Sequence, residues 1–258
     1  MDLASIGGFV LGMGLILWGI LFGGNALVLY WDAPSLVIVV GGSFAGMLAM
    51  SPISRITALG KLFGVFFNMQ VFNKEEIISQ LVAFSESARK EGLLSLDDAL
   101  NDVEDDFLRG GMRLVVDGSD PDVIKSVLYS DLDKIESRHQ KGIDFFGNWG
   151  TLGPAFGMIG TLIGLIGMMA NLEDISSVGK NMGVALITTF YGSILANLFL
   201  IPIQKKLEDK HQDEMLVKEI MVEGILSIQA GDNPRILEQK LYTFLAPDER
   251  PAGGGGEE

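Results

Sequence analysis

A chain of 258 residues that is 48% hydrophobic and 20% charged, with a positive mean hydropathy, must divide into apolar and aqueous parts. Its net charge of −14 argues against nucleic acid as a partner. With no cysteine, disulfides play no part.

Four apolar stretches, about 3–22, 33–51, 149–170 and 181–203, contain no Lys, Arg, Asp or Glu. Each is long enough, at ~1.5 Å per residue, to cross a ~30 Å hydrocarbon core. The expected fold class is an all-α integral membrane protein with four transmembrane helices in a 2+2 plan. The expected division is helices 1 and 2 in 1–51, a cytoplasmic helical domain in 52–148, helices 3 and 4 in 149–203, and cytoplasmic C-terminal helices in 204–250. Residues 251–258, PAGGGGEE, have the composition of a flexible extension or a cloning remnant.

In chain order, the first stretch has no basic leader, because no Lys or Arg precedes Arg55, and no clear cleavage site. It is expected to be a retained helix. After the second stretch, SPISRITALGKLFGVFFNMQ mixes basic residues with Phe63, Phe66 and Phe67. Two readings fit it: an interfacial helix on the inner leaflet, or the first packed helix of the soluble insert. Asn73 with Glu76 is a capping-box pattern opening a helix that carries Ile77, Leu81, Phe84 and Ala88 on one side and stops near Gly92. Ser95 with Asp98 suggests a second start, and DDALNDVEDDFLRGGMRLVV one or two short helices. Asp117-Gly118 is a turn. Pro121 then occupies the first position of a helix that runs toward the third apolar stretch.

That stretch carries Gly150, Gly153, Gly157, Gly160, Gly164 and Gly167 at steps of three and four, on one helix face. In lipid, a face of small residues lets another helix approach closely. It is read as a low-friction wall turned toward a partner. The fourth stretch repeats the pattern with Ala185, Thr189, Gly192 and Ala196, while Thr188, Tyr191, Ser193 and Asn197 add polarity. Threonines there either bond their own helix carbonyls or line a path. Pro202 is expected to bend the helix at the membrane surface. The helix continues into the cytoplasm, ends at Gly231, and is followed by a last helix over 235–245.

Eighteen of the nineteen basic residues lie between 52 and 148 or after 203; Lys180 is the exception. The positive-inside rule therefore puts the large loop and both termini in the cytoplasm. No phosphate loop or catalytic triad is visible, so no enzyme activity is expected. His139 and His211 read as surface histidines. Ionisable groups in membranes mark ion paths, and the four spans have none. If this chain handles ions, another protein must supply the titrating carboxylate. In the insert, Glu86, Arg89, Lys90, a glycine turn, Asp97 and Asp98 form either an ordinary solvated face or a docking surface that reads charges.

WDAPS at 31–35, ARKEGLLSLDD at 88–98, GPAFGMIGTLIGL at 153–165, LITTFYGSILAN at 186–197 and Ile201-Pro202 together resemble the A subunit of the bacterial flagellar stator. This is the MotA/PomA branch of the MotA/TolQ/ExbB family, and the resemblance runs in order through nearly the whole chain. It implies an inner-membrane homopentamer around a dimer of B subunits that supplies the membrane aspartate. It also implies torque delivered to the rotor switch protein, driven by transported sodium or protons, with no bound cofactor. Pro154 and Pro202 match the family's two functional prolines. Arg89 and Asp97 match its torque-interface charges, with Asp97 shorter than the usual glutamate, and Lys90, Asp98 and Glu86 match the wider charged set. Asp32 matches an acidic residue in the first extracytoplasmic loop of sodium-type members, and the resemblance counts it with Pro154, Thr161 and Thr189 on the ion path. Thr161 and Thr189 match the threonines those members place beside the aspartate, which favours sodium. An ExbB/TolQ-like energiser is the alternative, but those members have three spans. A non-conducting scaffold and a self-contained channel are the remaining readings.

Overall fold

A computed structural model describes residues 3–53, 59–68 and 73–250, with no strand among them. Its helices are α1 (Leu3–Phe22), α2 (Ala33–Met50), α3 (Leu59–Phe67), α4 (Lys74–Glu91), α5 (Leu96–Ala99), α6 (Asp106–Val116), α7 (Pro121–Ala170), α8 (Ile175–Ala230) and α9 (Pro234–Tyr242). Four of these, α1, α2, α7 and α8, are long and apolar enough to cross a membrane. The third and fourth apolar stretches are segments of helices of 50 and 56 residues. The tail 251–258 and the basic residue Arg55 lie outside the described residues.

Contacts divide the chain into two units, 1–69 with 140–209 and 70–139 with 210–258. In the first, which holds the four apolar segments, α1 buries no residue. Helix α2 presents Gly42 to the ring of Phe156 and Gly46 to Leu152 on α7. Beside them Trp149 donates its indole N–H to the buried Ser43 hydroxyl at 3.2 Å. Phe66 of α3 joins Met47, Phe145, Phe146 and Leu200 in one buried cluster. Among the described side chains of α3, Leu62, Phe66 and Phe67 therefore pack with the apolar segments.

Two wide π turns interrupt the apolar segments, Val37–Gly41 in α2 and Leu195–Leu200 in α8. The second precedes Pro202 directly. Proline has no amide hydrogen and its ring crowds the carbonyl four residues back. A π turn pairs carbonyls with donors five residues on, so the helix passes Pro202 unbroken.

The second unit has a conventional core. Ile78, Leu81 and Phe84 of α4 meet Leu108 and Met112 of α6, Ile124 and Leu128 of α7, Ile220 and Ile225 of α8, and Leu237 and Leu241 of α9. The α4 face is rotated from the expected one, because Ile78 is fully buried and Ile77 only partly. Asn73 caps α4 by accepting from the Glu76 amide at 3.3 Å, while the Glu76 carboxylate bonds the Asn73 side chain instead of returning to its backbone. Ser95 precedes α5 but does not cap it, for its hydroxyl donates back to the Gly92 carbonyl at 2.7 Å. Asp105 is the cap of α6, accepting from the amides of Phe107 and Leu108. Helices α6 and α8 end on Gly118 (φ 71°) and Gly231 (φ 75°), each closed by paired reverse-turn bonds.

Candidate functional site

The glycine face of α7 is covered by the chain's own α8. A methyl group placed on Gly157 would lie 2.9 Å from the Thr188 carbonyl oxygen, and on Gly164 2.6 Å from that of Asn181. On Gly153 it would lie 3.2 Å from the Gly192 oxygen, and on Gly167 2.8 Å from the Asn181 side-chain oxygen. Gly160 faces the Thr188 side chain, and Gly150 lies against Ile201. The expectation of a sliding wall open to a partner is thus corrected. Glycines bring two backbones together at distances no side chain permits, so the face that packs best is the face that closes. What stays open on α7 is the other side, with Pro154, Met158, Ile159, Leu162 and Ile166 exposed.

Thr161 and Thr189 lie at the edge of this seam, Thr161 half-buried and Thr189 exposed. Their hydroxyl oxygens are 2.6 Å apart. Thr161 Oγ1 also lies 3.1 Å from the Gly157 carbonyl oxygen and 3.0 Å from that of Ala185, which is 3.3 Å from Thr189 Oγ1. The two carbonyls already accept their helix amides, but each hydroxyl oxygen carries two lone pairs and one hydrogen, so lone pairs remain on the threonines for another donor or a cation. Oxygen-only sets of this kind suit small hard cations. Pro154 lies seven residues before Thr161, on the same side of α7. Thr189, Ser193 and Asn197 follow at steps of four on α8, all exposed.

The other polar residues of α8 have local partners. Thr188 is fully buried and donates within its own helix, to the carbonyl of Val184 or Ala185. Tyr191 donates to the Tyr30 carbonyl at 2.6 Å and accepts the Asp32 amide at 3.1 Å. Asp32 caps α2 through the Ser35 amide at 2.8 Å and also accepts the Ser35 hydroxyl. Its contacts therefore fasten the α1–α2 connection to α8, and none reaches Thr161 or Thr189. Composition alone did not reveal this clasp, although Asp-x-x-Ser before an apolar run is an N-cap signal.

The charged tip is a short helix–turn–helix. Helix α4 ends at Glu91, Gly92 adopts φ 89°, and Leu93–Ser95 lead into α5. Glu86, Arg89, Lys90, Asp97 and Asp98 are all exposed. Glu86 and Lys90 pair at 3.3 Å. Among the described residues Arg89, Asp97 and Asp98 make no ion pair, so their charges remain available to a partner.

Two further pairs lie in the same unit. Lys218, only 9% exposed at its side chain, donates to both carboxylate oxygens of Asp105 at 2.9 and 2.7 Å and covers the Phe107 ring. Burial pushes the Asp105 carboxyl up, but the bonds from Lys218 and the Leu108 and Phe107 amides outweigh it and hold the group below its ordinary value. His139 and His211 are not free surface residues as expected: their Nδ1 atoms are 3.3 Å apart and the rings meet edge to face. One ring must donate and the other accept. Burial holds His139 below the usual histidine value, opposed by Glu214 and helped by His211 and Arg138.

Residues 99–220 match the MotA/TolQ/ExbB proton channel family. The chain is 52% identical over 250 residues to Motility protein A of Borreliella burgdorferi, covering 97% of this chain and 96% of that protein. It is 35% identical to Chemotaxis protein PomA of Vibrio alginolyticus, again over 250 residues, with 97% and 98% covered. Its fold overlays a chain of the C. jejuni MotAB structure with a TM-score of 0.88 at 28% identity, covering 96% of this chain and 98% of that one.

Proposed function

The chain belongs to the MotA/TolQ/ExbB proton channel family, and we propose on that premise that it is the A subunit of a flagellar stator, turning cation flow into torque. The observation that carries this reading is the Thr161–Thr189 pair at the edge of spans with no ionisable side chain. Such a site supplies oxygens but no titrating group, so it needs a carboxylate from elsewhere. The relatives solved as MotAB contain a B protein, and a B-type dimer fits the requirement. The protein is a multi-pass inner-membrane subunit with both termini in the cytoplasm, following the distribution of its basic residues.

Five A chains around two B helices cannot match in symmetry, so the two carboxylates are never equivalent at once. A bare carboxylate is costly against an apolar wall, and a bound cation removes that cost. Neutralisation lets the carboxylate pass the exposed α7 side near Pro154 and Met158 and biases one step of the ring. The threonine hydroxyls and the Ala185 and Gly157 carbonyls take over part of the cation's hydration. This favours sodium over the proton, since a proton needs only one acceptor. At the other end Arg89 and Asp97, with Lys90, Asp98 and Glu86, meet opposite charges on the rotor switch protein, and Pro202 is a bend point. Asp32, expected on the ion path, steadies the outer connection through Ser35 and Tyr191 and stands at the outer end of that path. Four spans and whole-length similarity to motility proteins disfavour an ExbB/TolQ-like role.

The test is expression in a motile host lacking its own A subunit, with and without a B-type partner. Motility and cation flux are expected only when both are present. Flux from this chain alone, or none with a partner that assembles with it, contradicts the proposal.

A further inference from the structure

A cavity of about 270 Å³ opens between the first turns of α1, the inner face of α3 and the lower apolar part of α8. Ala4, Gly8, Phe9, Phe66, Leu198 and Pro202 form its apolar walls, and Ser5 and Asn197 are polar groups on its lining. Most of this lining is apolar, so hydrocarbon fills the space at less cost than water does. Gly8 opens directly into it: a methyl group there would meet no heavy atom within 4 Å. Gly8 is exposed, while beside it Phe9 is half-buried against the rings of Phe66 and Phe199.

The cationic end lies one turn below. Lys206 donates to the Ser5 hydroxyl at 2.6 Å, at the edge of the cavity. Lys205 is two-thirds exposed and held only by an i,i+3 contact with Glu208 at 2.7 Å. Such exposed pairs are weak and yield to a competing anion. Lysines just inside a membrane span are also drawn to the anionic inner leaflet. An apolar slot at inner-leaflet depth, with two lysines at its cytoplasmic mouth, has the polarity of one phospholipid read from tail to head.

We propose that this cavity holds an acyl chain of an anionic phospholipid of the inner leaflet, with Lys205 and Lys206 facing its phosphate. The lipid fills the space beside Pro202, where α8 widens into its π turn. It thereby supports the helix at its least regular point.

The test uses the full A–B complex in nanodiscs of equal phosphatidylglycerol and phosphatidylcholine, released into native mass spectrometry. Phosphatidylglycerol is expected to remain bound in preference to phosphatidylcholine. Gly8→Phe fills the slot and should reduce retained lipid tenfold with the complex mass unchanged. Lys205→Gln with Lys206→Gln should keep the lipid but equalise the two headgroups. Ala4→Phe, which blocks the same space from the first turn of α1, replaces Gly8→Phe if that variant does not fold. Equal retention in wild type and the filled variant overturns the proposal, as does equal retention of both lipids by wild type. Breakdown of the ring in both filled variants also overturns it, by assigning the slot to a second copy.

Discussion

Two regions of this molecule bring helices together by opposite means. Where α7 meets α8 in the apolar segments, closeness comes from missing side chains: Gly153, Gly157, Gly164 and Gly192 face backbone atoms of the other helix. In the aqueous core it comes from side chains that interlock. Gly111 and Gly224 are also tight there, but what they face is the ends of Ile225, Leu128 and Leu81. Backbone cannot yield and side-chain ends can. Glycines of similar closeness therefore have different tolerances, and the difference follows from which solvent each region excludes. Lipid offers no hydrophobic drive between helices, so packing must be backbone-close. Water supplies that drive, and large residues exploit it.

The sharpest way to break this comparison is Gly164→Ala, whose methyl would lie 2.6 Å from one carbonyl oxygen and 2.8 Å from the Ala185 nitrogen. Overpacking typically costs about 1–3 kcal/mol, and this site belongs at or above the top of that range. Loss of assembled complex on gel filtration and loss of swimming are expected. Next comes Lys218→Met, which leaves the Asp105 carboxylate, one-third exposed, without its cation. Removing one partner of a buried pair costs about 3–5 kcal/mol; partial exposure reduces that to about 1–2 kcal/mol here, read as a lower melting temperature of the complex. Gly224→Ala should cost about 1 kcal/mol, at the low end of overpacking, because Leu81 can rotate away. A loss as large as that of Gly164→Ala would end the distinction between the two regions.

Acid gives a smaller effect with a defined sign. The folded states of Asp105 and His139 both bind protons less readily than free side chains. Both therefore add stability that is fully present above the unfolded value and is lost as pH falls through the folded one. For His139 the loss begins near pH 6.5 and for Asp105 near pH 3.9, the ordinary values of the two groups. Hydrogen exchange of the α8 segment around His211 should quicken over the upper window in the wild type and not in His139→Gln. The smallest stability effect belongs to Arg89→Glu with Asp97→Lys. Both residues are exposed and unpaired, so assembly and melting should not change while torque falls.

The sequence made the helices legible where a local rule sufficed. Pro121 and Asn233 start their helices and Gly231 ends one because capping is decided within a few residues. The four apolar segments were readable from length alone. The destination of the glycine face was not, because periodicity shows that a face exists and not what covers it. Ile78 replaced Ile77 at the core for a related reason: neighbouring apolar residues are ambiguous until a partner fixes the rotation. Lys218 with Asp105 and His139 with His211 were invisible, since partners 113 and 72 residues apart meet only in the fold. Spacing left the threonines either self-bonded or lining a path and the resemblance chose the second, but their 2.6 Å contact arises between two separate helices.

The most direct test of the account is swimming speed against external sodium at constant proton-motive force, for wild type and Thr161→Ala in a host lacking its own A subunit. Speed should rise with sodium and saturate in the wild type, and the variant should need several-fold more sodium for half-maximal speed. A wild-type speed independent of sodium, or an unchanged half-maximal concentration in Thr161→Ala, would contradict the assignment of the threonine pair as the point where the cation is read.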